Sequence, residues 1–450
     1  MASPLPLPYD AATRCAERYA WFEAIRPSGW AVFLDSGDPA RSGGRYDILA
    51  AGPRAMLVAD REPFGATRRL LAGESPSGDA KAWPVSGAAI GYFAYEVGRP
   101  MAGFAAPATA ATPFMPEVAI GLYGWTIVVD HVERRAAITS LASVGEAEVA
   151  QLRERLLAAR EPPARAFCVH GPIASSLERD DYLPRARRVL DYIEAGDCYQ
   201  TNLTREFRAA CSGDPWTFYR HLHDTNPAPM GAYLEYPFGA VLSSSPERLL
   251  EVDGREALTR PIKGTRRRRA DPLEDAAAAR ELLASAKDRA ENVMIVDLLR
   301  NDLGRICETG SVQVRGLCEL ETFATVHHLV STITGRLAAG RDALDALQAC
   351  FPGGSITGAP KRRAMQIIDE LEPHRREVYC GAIGYVAPGG RMDMNIPIRT
   401  TLVARGELRF YAGGGIVADS TPEDEFEETE TKIAAIRRAV AAFSTAVAAA

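Results

Sequence analysis

The sequence predicts an α+β protein with antiparallel β-sheets, and three features of the chain support this class. Residues 1 to about 160 contain many short apolar segments separated by turns, such as 30–34, 88–93 and 125–129. Helical patterns follow over 146–160, 179–195, 275–300 and 361–371, and a last helix begins at Glu423. Strands and helices do not alternate with the regular rhythm that a parallel sheet requires.

The second half of the chain mixes strands with helices. Its predicted strands are 205–207, 231–236, 239–243 and 249–252, followed by a hairpin-like pair around 381–385 and 395–404. The helix over 146–160 ends at Pro162-Pro163, which is typical of a linker. We therefore expect an N-terminal domain over 1–165, a catalytic domain over 175–440 and an alanine-rich tail over 441–450.

Composition narrows the class of function. The 450 residues are 47% hydrophobic and 24% charged, with a net charge of -6, which argues against a nucleic-acid partner. The eight cysteines are scattered and form no Cys-x-x-Cys pair, so we expect reduced thiols and a cytoplasmic location. No apolar stretch is long enough to span a bilayer, and the first residues lack the pattern of a signal peptide.

Lys263 is a candidate nucleophile. It lies in the run Arg-Pro-Ile-Lys-Gly-Thr, and the four arginines 266–269 follow it. Neighbouring cations disfavour the ammonium form, so this lysine could present a free amine. Two alternatives remain open at this point: a solvated basic loop, or a non-catalytic RNA-binding or regulatory protein that uses the arginines.

Two helices each offer a pair of carboxylates three residues apart. Asp288 and Glu291 form one pair, and Glu425 and Glu428 form the other. Residues at this spacing share a helix face, and two such faces would suit a Mg²⁺ ion, which prefers oxygen ligands. The alternative is a pair of solvated acidic helix starts, which the helix dipole favours in any case.

Other candidates point to an anionic ligand. The glycine-rich run 351–361 exposes backbone N–H groups but lacks the ending of a nucleotide P-loop, so a carboxylate is the better ligand. Arg399 is predicted in the middle of an apolar strand, where it needs a paired anion. Glu247 follows an apolar strand and is a candidate general acid, while His328 and its neighbour His327 lie in a strand.

Six motifs in one order resemble the chorismate-utilising enzymes. They are Ser-Pro-Glu, Pro-Ile-Lys-Gly-Thr, Asp-Arg-x-Glu-Asn, Gly-x-x-Thr-Gly-Ala-Pro-Lys, Gly-Gly-Gly-Ile-Val and Glu-Phe-x-Glu-Thr-x-x-Lys. The similarity is strong over about 175–440 and weaker at 33–37 and 45–49. It implies the fold of that family, with antiparallel sheets packed as a sandwich and helices outside.

The resemblance also implies roles for individual residues. Glu247 would protonate the 4-hydroxyl of chorismate, Lys263 would attack carbon 2, and His328 would lie beside the ring. The implied substrate-binding residues are Tyr379, Arg399, Gly413, Gly415, Ser355, Thr265 and Gln200. The implied magnesium ligands are Glu291 and Glu428, with Asp288 and Glu425 close by through water. A tryptophan pocket of the family matches Asp35, Ser36, Pro229 and Gly231, although Asp35 replaces the family's glutamate, which leaves tryptophan binding open.

Two positions select the branch of the family. Isochorismate and salicylate synthases carry a lysine base where this chain has Gln200, and anthranilate synthases carry alanine where it has Lys263. The chain is therefore similar to the branch that aminates chorismate at carbon 4 for 4-aminobenzoate and folate synthesis. Amination at carbon 2, as in the anthranilate synthases, is the alternative. No glutaminase motif is present, so the resemblance implies a separate glutamine amidotransferase that supplies ammonia.

Overall fold

A computed structural model of the chain describes residues 4–10, 14–37, 44–58, 62–78, 82–104, 112–323 and 326–444. Most of the predicted tail, residues 445–450, therefore lies outside the described residues. Within the described ranges the helices are Arg14–Ile25 (α1), Pro63–Leu71 (α2), Glu146–Ala158 (α3), Arg179–Glu194 (α4), Pro215–Thr225 (α5), Pro272–Ala284 (α6), Ala286–Gly304 (α7), Ala343–Cys350 (α8), Lys361–Leu371 (α9) and Pro422–Phe443 (α10).

The strands form two sheets. In chain order they are Leu5–Leu7 (β1), Ala31–Asp35 (β2), Tyr46–Ala50 (β3), Ala55–Val58 (β4), Ala88–Phe93 (β5), Val118–Tyr123 (β6), Trp125–Asp130 (β7), Arg135–Ser140 (β8), Phe167–Ser175 (β9), Gln200–Gly213 (β10), Met230–Tyr236 (β11), Gly239–Ser245 (β12), Arg248–Asp253 (β13), Glu256–Thr259 (β14), Ile262–Arg267 (β15), Gln313–Thr322 (β16), Val326–Arg336 (β17), Gly358–Ala359 (β18), Ala382–Val386 (β19), Met392–Asn395 (β20), Thr400–Ala404 (β21) and Glu407–Ile416 (β22).

Strands from both ends of the chain share each sheet. The larger sheet has 12 strands in the order β1-β8-β7-β3-β2-β11-β12-β21-β22-β10-β18, with β9 paired to β10. The smaller has 10 strands in the order β15-β17-β14-β13-β20-β19-β5-β6-β4, with β16 paired to β17. The junctions β2–β11 and β5–β19, like the other pairs, are antiparallel. The segments before residue 165 and after residue 175 thus build both sheets together.

Aromatic side chains fill the space between the layers. The ring centroids of Tyr92 and Tyr236, which belong to different sheets, are 5.8 Å apart. On the outer face of the larger sheet, Trp216 of α5 packs 4.5 Å from Phe22 of α1 and 4.9 Å from Tyr233 of β11. Rings at these separations contribute about 1 kcal/mol per pair beyond their buried area. The predicted α+β class with antiparallel sheets and outer helices is confirmed.

Two predicted elements are wrong in detail. The helix predicted over 275–300 is two helices, because Ser285 is extended (ψ 107°) and its side chain accepts a hydrogen bond from the backbone N–H of Asp288. The strand predicted over 395–404 is also divided. Residues up to Asn395 pair with β19 in the smaller sheet, whereas Thr400 begins a strand of the larger sheet. Arg399 therefore lies at the crossing between the sheets, with φ at +51°, and not in the middle of a strand.

The break at Ser285 generates a stability prediction. Replacing Ser285 by Ala removes the N-cap acceptor of α7, and we expect the free energy of unfolding to fall by about 1 kcal/mol in a chemical denaturation experiment. Ser285→Asp is the matched control, since aspartate also caps helices and should retain the parent stability. A Ser285→Ala protein as stable as its parent would contradict the capping role.

Candidate active site

Strand β15 brings Lys263 next to the first turn of α7. Lys263 pairs with Leu329 of β17, and the register between these strands shifts at Gly264. Gly264 has φ at +83°, and a Cβ there would lie 3.0 Å from the Cβ of Asp288. Only glycine allows the strand to approach the helix so closely. The motif Lys-Gly-Thr thus fixes the catalytic lysine candidate against an acidic helix end.

Carboxylates surround Lys263 more than cations do. The positive charge of Lys263 opposes the burial that raises the pKa values of Glu247 and Glu291, and it helps to lower the pKa of Glu428. All three carboxylates therefore lie within electrostatic reach of this lysine. The arginines that follow it are engaged elsewhere: Arg266 contacts Glu281 at 2.8 Å and Asp288 at 3.3 Å. Arg268 is likewise bound to Asp275 at 2.8 Å. Arg266 and Arg268 are therefore paired with carboxylates of α6 and α7.

Glu247 has the environment of a general acid. It is buried, with 6% of its surface exposed. Burial raises its pKa, although a hydrogen bond from the Ser355 hydroxyl at 2.8 Å and the charge of Lys263 oppose that shift. A carboxyl with a raised pKa retains its proton to higher pH than a surface glutamate does, which suits a general acid.

The two neighbouring histidines face different partners. The Nδ1 atom of His328 lies 2.8 Å from the Thr265 hydroxyl. Burial, helped by the charge of Arg399, lowers the pKa of His328 to about 4, so its ring is neutral near pH 7. His327 instead contacts Asp275 of α6 at 3.1 Å. His328 is consequently the histidine that joins the β15 site, and it acts there as a neutral hydrogen-bonding group.

Arg399 is a cation in need of an anion. It is partly buried, and its guanidinium makes no hydrogen bond or ion pair within the described part of the chain. Burial lowers the pKa of its guanidinium, and only the charge of Glu247 opposes that shift. The ring of Tyr379 stacks on that of Tyr411, with centroids 5.3 Å apart. A ligand carboxylate would supply the bidentate partner that Arg399 lacks.

The glycine run of β22 lies on another side of the candidate site. Gly413 and Gly415 pair with Thr204 and Asn202 of β10. A Cβ at Gly415 would lie 2.9–3.2 Å from the side-chain amide of Gln200, which is fully buried. Neither polar atom of that amide has a hydrogen-bond partner among the described residues. Because buried amides are normally satisfied, Gln200 has capacity to bind a ligand on this side of the site.

The acidic residues form an electrostatically coupled group. Burial and the charge of Glu428 raise the pKa of Glu425 to about 7, and one of its carboxylate oxygens has no partner in the described residues. Burial and Glu428 also raise the pKa of Glu291. Burial raises the pKa of Glu428 as well, but Lys432 at 2.5 Å, Lys263 and Lys287 outweigh it and hold that pKa below its usual value.

These carboxylates fit a divalent cation by charge, although they are not gathered into a tight cage. Among the residues that the structure describes, no three His, Cys, Asp or Glu side chains are close enough to form a metal site by themselves. Asp288 is held by Arg266, and Glu428 by Lys432. The unpartnered oxygen of Glu425 and the mutual repulsion of Glu425, Glu428 and Glu291 still favour an added cation.

Comparison with known proteins places this geometry in a family. Residues 30–438 match the family of the chorismate binding enzyme.

The chain belongs to this family.

Relatives cover nearly its whole length. The chain is 42% identical to aminodeoxychorismate synthase component 1 of Klebsiella aerogenes, over 96% of this chain and 98% of that protein. It is 40% identical to anthranilate synthase component 1 of Streptomyces coelicolor, over 92% and 85%. The crystal structure of anthranilate synthase component I from Streptococcus pneumoniae superposes with a TM-score of 0.76 at 31% identity, over 86% and 91%. The resemblance inferred from the six motifs is confirmed.

In this chorismate-binding enzyme, three residues of the predicted tryptophan pocket line one cavity. A cavity of about 370 Å³ has Asp35, Pro229 and Gly231 in its wall, together with Tyr46 and Tyr385. The carboxylate of Asp35 is already bound, because it accepts a hydrogen bond from Tyr219 at 2.8 Å. The Ser36 hydroxyl donates to Asp47 at 2.7 Å. Tryptophan binding in this cavity stays a prediction.

The structure assigns contacts to two motif residues, Lys432 and Gly414, and adds Lys287, which lies outside the motifs. Lys287 and Lys432 stand close enough to Glu428 to lower its pKa, and Gly414 is placed so that a Cβ would collide with the carboxylate of Glu425. Lys432 lies four residues after Glu428, a spacing that predicts an ion pair within one helix. Nothing in the sequence pattern marks Lys287, because its effect on Glu428 acts between two helices that are far apart in the chain. None of the described helices has both the length and the apolar character needed to cross a bilayer.

The missing partner of Arg399 gives a test that needs no substrate. Arg399→Met removes a partly buried cation without leaving a carboxylate unpaired, so we expect the free energy of unfolding of the ligand-free protein to rise by about 1 kcal/mol. Chorismate binding should be lost in the same variant. Arg205, which is 1% exposed and contacts Glu430 at 2.6 Å, is the matched control. Arg205→Met should lower stability, since it removes the hydrogen bonds of Arg205 to the Leu177 carbonyl and the Thr429 hydroxyl as well as its ion pair with Glu430. Destabilisation by Arg399→Met would contradict this account.

Proposed function

We propose that this enzyme is an aminodeoxychorismate synthase component 1. It converts chorismate and ammonia to 4-amino-4-deoxychorismate, for 4-aminobenzoate and folate synthesis. The observation that carries the proposal is the position of Lys263, at the entrance to α7 and within reach of Glu247, Glu291 and Glu428. The relative of that name from Klebsiella aerogenes, 42% identical over nearly the whole chain, supports the same activity.

The first half of the reaction uses Glu247 and Lys263. The carboxyl of Glu247 gives its proton to the 4-hydroxyl, and the bond between carbon 4 and oxygen breaks with loss of water. The amine of Lys263 attacks carbon 2 as both ring double bonds shift, which forms a covalent amino intermediate. Ser355 orients Glu247 through its hydrogen bond of 2.8 Å. Burial, which raises the pKa of Glu247, keeps the proton available for this step.

The second half returns the enzyme to its starting state. Ammonia attacks carbon 4, the double bonds shift back, and the bond between carbon 2 and the Lys263 nitrogen breaks. The Glu247 carboxylate takes a proton from the new ammonium group and is thereby ready for another cycle. Two substitutions in succession place the amino group at carbon 4, where the hydroxyl was.

Substrate recognition follows from the groups that lack partners. Arg399 would bind the pyruvyl carboxylate, with Tyr379 and the backbone at Gly413 beside it. Gln200, whose amide has no partner within the described residues, would contact the substrate across from Gly415. His328 is neutral, since burial lowers its pKa to about 4, and with Thr265 it would face the ring as a hydrogen-bonding group.

A Mg²⁺ ion fits the acidic helix ends. Glu291 and Glu428 would hold it, with Asp288 and Glu425 nearby, and it would supply a positive charge for the ring carboxylate of chorismate. The raised pKa values of Glu291 and Glu425 support this assignment, because an added cation would relieve the repulsion that contributes to both shifts.

Ammonia requires a source. The relatives are named as component 1 of their synthases, which implies a second component in those proteins. We propose that this enzyme works with a separate glutamine amidotransferase that releases ammonia from glutamine.

Amination at carbon 2 is the alternative function, because anthranilate synthases are also among the relatives. The two functions predict different products from chorismate, Mg²⁺ and an ammonium salt. We expect 4-amino-4-deoxychorismate, which an added lyase converts to 4-aminobenzoate, and no fluorescence from anthranilate.

We also expect Lys263→Ala to lower the rate by at least about 100-fold at unchanged stability. Intact-protein mass spectrometry should find a chorismate adduct on the parent enzyme without ammonia. Anthranilate as the main product would contradict the proposed function.

The raised pKa of Glu247 predicts the pH dependence of turnover. The protonated carboxyl is the active form, so kcat should fall as the pH rises through this pKa. Glu247→Gln should lower kcat by about 10²- to 10⁴-fold and remove that alkaline limb. Ser355→Ala is the diagnostic comparison, because loss of its hydrogen bond raises the pKa of Glu247 further and should move the limb to higher pH. Lys263, Lys432 and Arg399 also face Glu247 and are the same in both variants. An unchanged alkaline limb in Glu247→Gln would assign it to another group.

A further inference from the structure

Arg376 ties together segments that are far apart in the chain. It is 1% exposed, one of the most deeply buried charged residues of the protein. Its guanidinium donates to the backbone carbonyl of Ile356 at 2.8 Å and to that of Asn202 at 2.7 Å. It also binds both carboxylate oxygens of Glu372, at 2.9 Å and 2.7 Å. One side chain thus connects the turn before β18, the start of β10 and the loop after α9.

The surroundings of Arg376 hold its guanidinium in place. Glu372, besides binding it, accepts a hydrogen bond from the backbone N–H of Thr204 at 2.8 Å. The carboxylate of Glu96 accepts from the backbone N–H of Arg376 at 2.9 Å. The guanidinium carbon lies 4.7 Å from the ring centroid of Tyr95. Charge-assisted hydrogen bonds of this kind are stronger than neutral ones, so Arg376 is a fixed donor rather than a mobile one.

Both carbonyls that Arg376 binds adjoin the candidate active site. Ile356 directly follows Ser355, whose hydroxyl donates to Glu247. Asn202 pairs with Gly415, which packs against the amide of Gln200. The short turn that carries Ser355, Gly354–Ile356, has few hydrogen bonds of its own. The contact to Ile356 therefore contributes directly to where the Ser355 hydroxyl lies.

We infer that Arg376 is a positioning residue that holds Ser355 against the carboxyl of Glu247. This inference rests on the proposed function, in which Glu247 protonates the leaving hydroxyl. Arg376 touches neither Glu247 nor Lys263 in the contacts given above, and it acts through the backbone at Ile356. Misplacement of a catalytic group by about 1 Å can cost about 100-fold in rate, so the arginine should be needed for turnover more than for binding.

Arg376→Lys tests the inference. Lysine keeps the charge beside Glu372 but cannot bind Glu372, Ile356 and Asn202 together in one plane. We expect kcat per folded enzyme to fall by at least about tenfold, with KM for chorismate within about threefold of the parent. Arg26 provides a matched control, because it is buried and contacts Asp214 at 2.8 Å and Glu235 at 3.1 Å, far from Glu247 in the fold. Arg26→Lys should lower stability and leave kcat unchanged.

A double-mutant cycle with Ser355→Ala separates positioning from a general structural effect. In the Ser355→Ala enzyme, Arg376→Lys should lower kcat by less than about threefold, because the hydroxyl that it positions is already gone. Multiplicative losses in the double variant, or an unchanged kcat in Arg376→Lys, would overturn the inference. Should Arg376→Lys fail to fold, Glu372→Gln takes its place in the cycle, with the same non-multiplicative result expected. Rates are measured as chorismate consumption, so anthranilate as the product would contradict the proposed function alone.

Discussion

The active site depends on charges that the fold holds close together and only partly neutralises. Arg399 has no anionic partner among the described residues, and one oxygen of Glu425 and the amide of Gln200 have no hydrogen bond there. Elsewhere the buried charges are matched, as in the pairing of Arg376 with Glu372. Because an uncompensated charge is costly in a protein interior, the surrounding packing must supply the stability that the site itself lacks. In the proposed function, the substrate and a cation would supply the missing partners.

The geometry of that site comes from backbone contacts as much as from side chains. Gly264 lets β15 approach Asp288, and Gly415 lets β22 approach Gln200. Neither contact leaves room for a Cβ without displacement of its neighbour. Lys263 and the candidate acid Glu247 come within electrostatic reach of each other near the point where the smaller sheet approaches α7. Small residues thus determine the distance between the reactive groups, while charged residues determine their chemistry.

Much of this arrangement could be predicted from the sequence, and the failures have physical causes. The motifs around Lys263, Glu247 and Glu428 indicate the family, because each motif is a short run of neighbouring residues that can be recognised without knowledge of the fold. The break at Ser285 was missed, since a serine in an apolar helical pattern looks like a solvated position until its side chain is seen to cap the next helix. The position of Arg399 was also missed, because its crossing between sheets depends on strand partners distant in the chain. The burial of Arg376 could not be predicted either, because the run His374-Arg375-Arg376 is typical of an exposed basic loop.

The sharing of both sheets by the two ends of the chain has a consequence for synthesis on the ribosome. Strand β2 cannot gain its neighbour β11 until about 200 further residues have emerged, and β5 waits still longer for β19. The early strands therefore leave the exit tunnel with one apolar edge unpaired, a condition that invites association with other nascent chains. For the same reason, we expect the amino-terminal half to aggregate when it is expressed as a free-standing fragment.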